Sequence, residues 1–210
     1  MGCAVNRSGN LTTRPSGRLR RRLTQALGQK QMLKLATFAT FILLAMLTAG
    51  VFGAFHDQIS YTVSNEYFTK FKFFQFHLLD PAVPERVRAA IVGFRASWWM
   101  GIPLGLLAGI AGFIQPNAKQ MLRSLLLSLL VISGFTLIFA LAGLTYGYFQ
   151  TDSLNMGNYR GWFIPPNLVH PRNFICAGYM HNSAYLGGLL AIPVAWIFHF
   201  YYRRLAVRAA

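Results

Sequence analysis

The sequence predicts an all-α integral membrane protein with four transmembrane helices and a short amphipathic surface helix between helices 1 and 2. Of its 210 residues, 54% are hydrophobic and only 12% are charged, whereas ordinary soluble domains carry roughly 25% charged residues. Four apolar stretches reach the length of about 20 residues that a helix needs to cross a bilayer. The net charge of +15 lies largely outside these stretches, with +8 of it in residues 1–34, which favours a membrane protein over a soluble nucleic-acid-binding domain.

The four predicted helices cover about 35–56, 89–114, 123–149 and 173–202, with an outer surface segment over 57–88, and together they form one membrane domain over 35–210. The first stretch is longer than the roughly 7 to 15 apolar residues of a cleaved signal peptide. Residues 1–34 form a basic tail that contains eight Lys and Arg residues and no acid. We expect this tail to be disordered, since it has too few apolar residues to form a core. Because Met32 offers an alternative start, the presence of residues 1–31 in the mature protein is left open.

The distribution of basic residues predicts the orientation. If the N-terminus is cytoplasmic, thirteen of the 20 Lys and Arg residues lie on the cytoplasmic side. The positive-inside rule therefore favours cytoplasmic locations for both termini of a multi-pass protein. All five acidic residues then lie on the outer side.

Two features predict partners. The basic tail lies next to a membrane helix, so we expect it to bind anionic lipid, and it has no aromatic residues with which to stack nucleic-acid bases. Nucleic acid is therefore not expected as a partner. Gly101, Gly105 and Gly109 recur at every fourth position, which is typical of close helix packing. This packing face could contact the rest of the bundle, another membrane protein or a second copy of the chain.

Polar side chains are predicted to meet at the outer edge of the membrane. Measured from the inner end of each helix at about 1.5 Å per residue, Asp57, His181 and Arg95 lie at nearly the same depth. Asp57 and His181 also share helix faces with small residues, so both should point into the bundle. The candidate catalytic or binding residues are His56, Asp57, Glu66, Arg95, His181, Asn182 and Tyr185. The alternative is a structural network in which Asp57 pairs with His181 or Arg95 and ties the helix ends together.

The segment after the first helix predicts an amphipathic surface helix. Ser64 is a plausible N-cap, and Glu66 in the first turn suits the positive end of a helix. The apolar residues that follow fall on one face at helical spacing: Tyr67, Phe71, Phe74 and Leu78. Lys70 and Lys72 should face lipid headgroups. This helix could act as a lid over the outer end of the bundle or as a simple anchor.

Two motifs resemble a known family. The segment H-D-Q at 56–58, followed by E-Y-F-T-K-F-K at 66–72, and the segment M-H-N-S-A-Y at 180–185 are similar to those of a family of small bacterial multi-pass inner-membrane proteins. The resemblance covers roughly residues 53–76 and 176–190. It implies a bacterial inner-membrane location, and it implies no reaction and no catalytic residue.

These features leave three functional hypotheses. The first is an accessory or assembly component that contacts a partner through the aromatic segment or the glycines. The second is a membrane enzyme or metal-binding protein in which His56, Asp57, Glu66 and His181 bind a divalent transition metal such as Zn, Fe or Mn. The third is a small transporter or receptor. The sequence does not decide whether the protein is an enzyme, and it names no cofactor beyond this metal.

Overall fold

A computed structural model describes residues 17–208 of the chain; residues 1–16 and 209–210, and with them half of the predicted basic tail, lie outside the described range. The described residues contain helices and no strand, and four of these helices are long and apolar enough to cross a membrane. The predicted all-α membrane fold is therefore confirmed. The segments are α1 (Gly17–Val63), α2 (Asn65–Tyr67), a π-helical turn (Phe68–Lys72), α3 (Phe73–Gln75), α4 (Glu85–Ser97), a 3-10 turn (Trp98–Met100), α5 (Gly101–Gly109), a second 3-10 turn (Ile110–Ile114), α6 (Ala118–Gln150), a third 3-10 turn (Met156–Tyr159) and α7 (Pro171–Arg208).

The first helix is longer than predicted at both ends. It covers Gly17–Val63 instead of 35–56, so the prediction of disorder in the tail is wrong for residues 17–34. Once a membrane span has nucleated a helix, each further residue adds one backbone hydrogen bond at little entropic cost. The Arg, Leu, Gln, Lys and Ala residues of this stretch have good helix propensity. The helix therefore continues beyond the apolar stretch.

The second span, Glu85–Ile114, is interrupted by 3-10 turns, whereas the sequence predicted one helix over 89–114. Pro103 explains the first interruption, because proline has no N–H to donate and its ring clashes with the carbonyl four residues earlier. That carbonyl belongs to Trp99, which lies in the 3-10 turn Trp98–Met100. The third and fourth spans, Ala118–Gln150 and Pro171–Arg208, extend beyond the predicted 123–149 and 173–202.

Glycines allow the spans to approach closely. A Cβ on Gly53 of α1 would lie 2.2 Å from the carbonyl oxygen of Gly93 in α4, so these two backbones touch. The stripe of Gly101, Gly105 and Gly109 packs on α1 in the same way, with Met46 backbone atoms 2.4 Å from a Cβ on Gly101. This stripe is therefore a packing face within the chain.

The segment between the first two spans packs across one end of the bundle, which we call the Asp57 end. Tyr67, Phe68 and Phe73 are buried against residues of α4 and α7, while Phe74 remains 58% exposed. The predicted apolar face contained Phe74. The exposure of Phe74 arises from the π-helical turn, because a π-helical turn holds more residues than an α-helical turn and rotates the residues that follow it. The segment is a short amphipathic helix, as predicted, with a shifted buried face.

Candidate functional site

The last turns of α1 carry a buried polar cluster at the Asp57 end. His56, Asp57 and Ser60 are each less than 5% exposed. His56 and Ser60 are four residues apart, which places their side chains on neighbouring turns of the same helix face. His181 of α7 packs against them. Its side chain contacts that of Ser60, which lies 121 residues earlier in the chain.

Hydrogen bonds and one ion-pair contact connect the side chains of the cluster. His56 Nδ1 and Asp57 Oδ1 are 3.1 Å apart, and His181 Nε2 lies 3.1 Å from Ser60 Oγ. The distance from His181 Nε2 to Asp57 Oδ1 is 3.8 Å. Asp57 and His181 therefore lie at the same level, as the depth estimate predicts. We call His56, Asp57 and His181 the His2Asp cluster.

Aromatic rings enclose the cluster. The ring of Tyr67 stacks on His181 with centroids 4.8 Å apart and an interplanar angle of 22°. The rings of His56 and His181 meet edge to face at 4.7 Å, and Phe68 lies on the other side of His181 at 6.4 Å. Packing on several sides fixes the orientation of the two imidazoles, which is what a binding site requires of its ligands.

Lys72 brings a positive charge to the cluster. It lines the same small cavity as His56, Asp57 and His181. Its ammonium group lies 5.6 Å from the centroid of the Tyr67 ring, because the π-helical turn places residues five apart on one face. Burial lowers the pKa of Lys72, and the negative charge of Asp57 acts in the opposite direction.

The His2Asp cluster has the donor set of a transition-metal site, with ligand atoms somewhat farther apart than a bound metal would hold them. One ligand atom from each residue lies within 4.8 Å of the other two, and tetrahedral ligands at ordinary zinc bond lengths are about 3.3 Å apart. His56 Nε2 is buried and has no hydrogen-bond partner among the described residues. Two imidazoles and a carboxylate are the ligands of both catalytic zinc and non-haem iron sites.

Glu66, a predicted metal ligand, belongs to a different group. Its carboxylate forms an ion pair with Lys70 at 2.5 Å and accepts hydrogen bonds from the backbone N–H groups of Val169 and His170 at 3.0 and 2.7 Å. Burial alone would raise the pKa of Glu66, but these hydrogen bonds and the charge of Lys70 outweigh it and lower the pKa to about 2. Glu66 therefore fixes the loop before α7, and its predicted place in the metal site is wrong.

The remaining candidates lie around the cluster. The guanidinium of Arg95 is exposed and donates to the carbonyl of Phe76 at 3.2 Å, so the expected pairing with Asp57 does not form among the described residues. Asn182 is exposed at the rim of an outer cavity. Tyr185 lines the same small cavity as Asp57 and His181.

Two residues of the site were not predicted. Ser60 lies one helical turn beyond His56, and this four-residue spacing could have indicated that the two side chains share a helix face. Lys72 was expected to face headgroups, and no sequence signal indicates the π-helical turn that directs it inward.

Comparison with protein-family models, with curated proteins and with solved structures gives no match to this chain. The function must therefore be argued from the site itself.

Proposed function

We propose that this chain is a membrane metalloprotein that binds one divalent transition metal, such as Zn²⁺ or Fe²⁺, through His56, Asp57 and His181. The observation that carries this proposal is the convergence of these three side chains from α1 and α7, with ligand atoms within 4.8 Å of one another. The unpartnered nitrogen of His56 supports it, because a buried polar atom without a partner is costly unless something else satisfies it.

The arrangement favours a catalytic rather than a structural metal. Structural zinc sites have four protein ligands, whereas catalytic sites have three and keep a position for water or substrate. His56, Asp57 and His181 would hold the metal, which would supply an activated water and a Lewis acid for a substrate oxygen. Lys72 and Tyr185 line the same small cavity as the His2Asp cluster and can contact a bound molecule. The reaction class that fits best is metal-assisted hydrolysis.

The accessory role expected from sequence has less support. It depended on the aromatic segment and on the glycines of the second span as free contact surfaces. Tyr67, Phe68 and Phe73 are buried within the chain, and Gly101 packs on α1. The transporter hypothesis gains little, because the polar cluster lies near one end of the bundle rather than at its middle.

We infer that the Asp57 end faces the outside of a bacterial inner membrane and that both termini are cytoplasmic. The excess of Lys and Arg at the opposite end supports this orientation. The resemblance of residues 53–76 and 176–190 to bacterial inner-membrane proteins supports the location. The basic N-terminal part of α1 would then bind anionic lipid of the cytoplasmic leaflet.

Metal analysis tests the proposal. The full-length protein is purified in detergent, stripped with a chelator and dialysed against Zn²⁺, and bound zinc is measured by mass spectrometry. We expect about one zinc per wild-type chain, and loss of most of this zinc in His181→Ala and Asp57→Asn, since each removes one of three ligands.

His170→Ala and Glu66→Gln are the controls. His170 has an exposed side chain, and Glu66 lies in the separate ion pair with Lys70, so both variants should keep the zinc. Size-exclusion chromatography of each variant reports whether it is folded. Wild-type protein that holds no zinc, or equal zinc in all variants, contradicts the proposal.

A further inference from the structure

Three cavities adjoin one another at the Asp57 end, and Tyr185 borders all of them. The vestibule is a cavity of about 350 Å³ lined by Tyr67, Phe71, Lys72, Trp162, Asn182 and Tyr185, among others. The polar chamber is a cavity of about 40 Å³ that contains the His2Asp cluster and Lys72. The apolar cavity, of about 110 Å³, lies deeper, between α1, α5, α6 and α7.

Residues common to their linings show that the three cavities are adjacent. Lys72, His181 and Tyr185 line both the vestibule and the polar chamber. Ser97, Ala184 and Tyr185 line both the polar chamber and the apolar cavity. A molecule that extends past Tyr185 therefore contacts the His2Asp cluster at one end and the interior of the bundle at the other.

The apolar cavity suits a hydrocarbon chain. Its walls include Phe41, Ala45, Phe52, Leu104 and Gly188. Most of its exposed wall is apolar, although five residues with hydroxyl groups also border it: Thr48, Ser97, Ser133, Thr136 and Tyr185. Water enters a cavity only where it finds several polar partners, and apolar cavities of roughly 150 Å³ take up small hydrocarbons instead. Within a bilayer the available hydrocarbon is a lipid chain.

The polar chamber suits an anion once a metal is bound. Asp57 and Lys72 carry opposite charges, so with neutral histidines their sum is zero and a divalent metal makes the chamber strongly positive. A bound divalent ion is the largest local charge in such a site and attracts negatively charged ligand groups. Lys72 adds a second cationic group, and lysine is a common phosphate binder.

We propose that the substrate class of this site is an amphiphile with a phosphate-type head and a hydrocarbon chain, the head lying at the His2Asp cluster and Lys72 and the chain passing Tyr185 into the apolar cavity. The assignment of the head rests on the proposed metal function, whereas the assignment of the chain rests on the cavity. Both parts of the ligand are needed to fill the series of cavities.

Gly188 provides a variant that blocks the chain without touching the head. A Cβ on Gly188 would meet Leu104 Cδ1 at 3.7 Å, an ordinary van der Waals contact, so Gly188→Leu adds a side chain to the apolar cavity without a backbone clash. Gly134 of α6 has no described atom within 4 Å of its Cβ position and lies outside this cavity. Gly134→Leu is therefore the matched control.

The experiment measures binding to the full-length protein in phosphatidylcholine nanodiscs loaded with Zn²⁺. The probes are radiolabelled dodecyl phosphate, inorganic phosphate and dodecanol, each corrected for uptake by empty nanodiscs. We expect dodecyl phosphate to bind wild-type protein at least about tenfold more tightly than either other probe, because several methylenes leave water and the head is retained. Gly188→Leu should remove this advantage and leave the binding of inorganic phosphate unchanged. Lys72→Met should weaken the binding of both phosphate probes. Gly134→Leu should bind all probes as wild type does.

Zinc measured in the same samples separates the two proposals. If zinc is bound and dodecyl phosphate binds no better than inorganic phosphate, the amphiphile proposal is overturned and the metal site stands. If zinc is absent and dodecyl phosphate still binds through Gly188 and Lys72, the metal proposal fails and the amphiphile proposal stands. Equal binding of dodecyl phosphate and dodecanol overturns the assignment of a phosphate-type head, and unchanged binding in Gly188→Leu overturns the position of the chain.

Discussion

Glu66 and Asp57 are both buried carboxylates, yet their surroundings give them different roles. Glu66 is satisfied by Lys70 and by two backbone N–H groups, so nothing remains for a ligand to supply. Asp57 faces two imidazoles, which are themselves metal ligands. A buried polar atom alone does not define a site, since both ring nitrogens of His199 are also unpartnered among the described residues. His199 has no part in the described group of metal-ligating side chains, whereas His56 does.

The residues that belong to the site could be predicted from the sequence more easily than the contacts that each of them makes. Asp57 and His181 were selected because they share one depth and point inward, and both inferences follow from helix geometry. Glu66 was selected by its proximity in sequence to His56. Its side chain instead reaches the backbone of Val169, more than 100 residues away, and no local pattern indicates such a contact.

Glu66 gives a prediction about acid stability. Its pKa is about 2 in the folded protein and its ordinary value is 4.5, so its contribution is fully present above pH 4.5 and is lost as the pH falls toward 2. Glu66→Gln should lower the free energy of unfolding at neutral pH by about 1–3 kcal/mol, the usual loss for charge-assisted hydrogen bonds. Thermal unfolding in detergent as a function of pH measures both effects.

Asp80→Asn is the control for this prediction, because Asp80 is exposed and lies in the same outer segment. The difference in unfolding midpoint between wild type and Glu66→Gln should shrink as the pH falls from 4.5 to 2. A difference that stays constant over this range would show that the charge of Glu66 does not stabilise the fold.

At the scale of helices, hydrophobic length predicted the four spans, and local chemistry decided their ends. Asn117 begins α6 by accepting a hydrogen bond from the N–H of Gln120 at 2.9 Å, five residues before the apolar stretch suggested. Pro103 accounts for the break in the second span. The π-helical turn Phe68–Lys72 had no such marker, because aromatic residues at helical spacing are compatible with either register.

The contact between α1 and α4 gives a prediction at this scale. The Cβ of an alanine at Gly53 would lie 2.2 Å from the Gly93 carbonyl, and one at Gly93 would lie 2.1 Å from the Gly53 carbonyl. Because the obstacle is backbone, the helices must move apart. Gly53→Ala and Gly93→Ala should each lower the free energy of unfolding by about 1–3 kcal/mol or more.

Gly134→Ala is the matched control, since its Cβ would meet no described atom within 4 Å. Alanine is the better helix former by about 1 kcal/mol, so this variant should be neutral or more stable than wild type. Thermal unfolding of the three variants in the same detergent makes the comparison. Equal midpoints for Gly53→Ala and Gly134→Ala would contradict the close approach of α1 and α4.

At the scale of the whole molecule, the excess of basic residues and the His2Asp cluster lie at opposite ends of the bundle. Lys34 donates to the carbonyls of Phe113 and Gln115 at 3.1 and 2.5 Å, which ties α1 to the end of the second span away from Asp57. The buried ionisable cluster and the cavities that adjoin it lie at the Asp57 end. The sequence predicted this division from charge counts. The adjacency of the cavities could not be predicted, since it depends on how Ser97, Ala184 and Tyr185 meet.

The orientation of these two ends gives the last prediction. The positive-inside rule places Lys119 in the cytoplasm and Asn158 outside, and both side chains are exposed. In a background with Cys3→Ser and Cys176→Ala, Asn158→Cys should react with a membrane-impermeant maleimide in intact bacterial cells. Lys119→Cys should react only after lysis. The reverse pattern would invert the topology and place the His2Asp cluster on the cytoplasmic side. Labelling of both positions in intact cells would contradict a membrane span between them, because α6 alone separates the two sites.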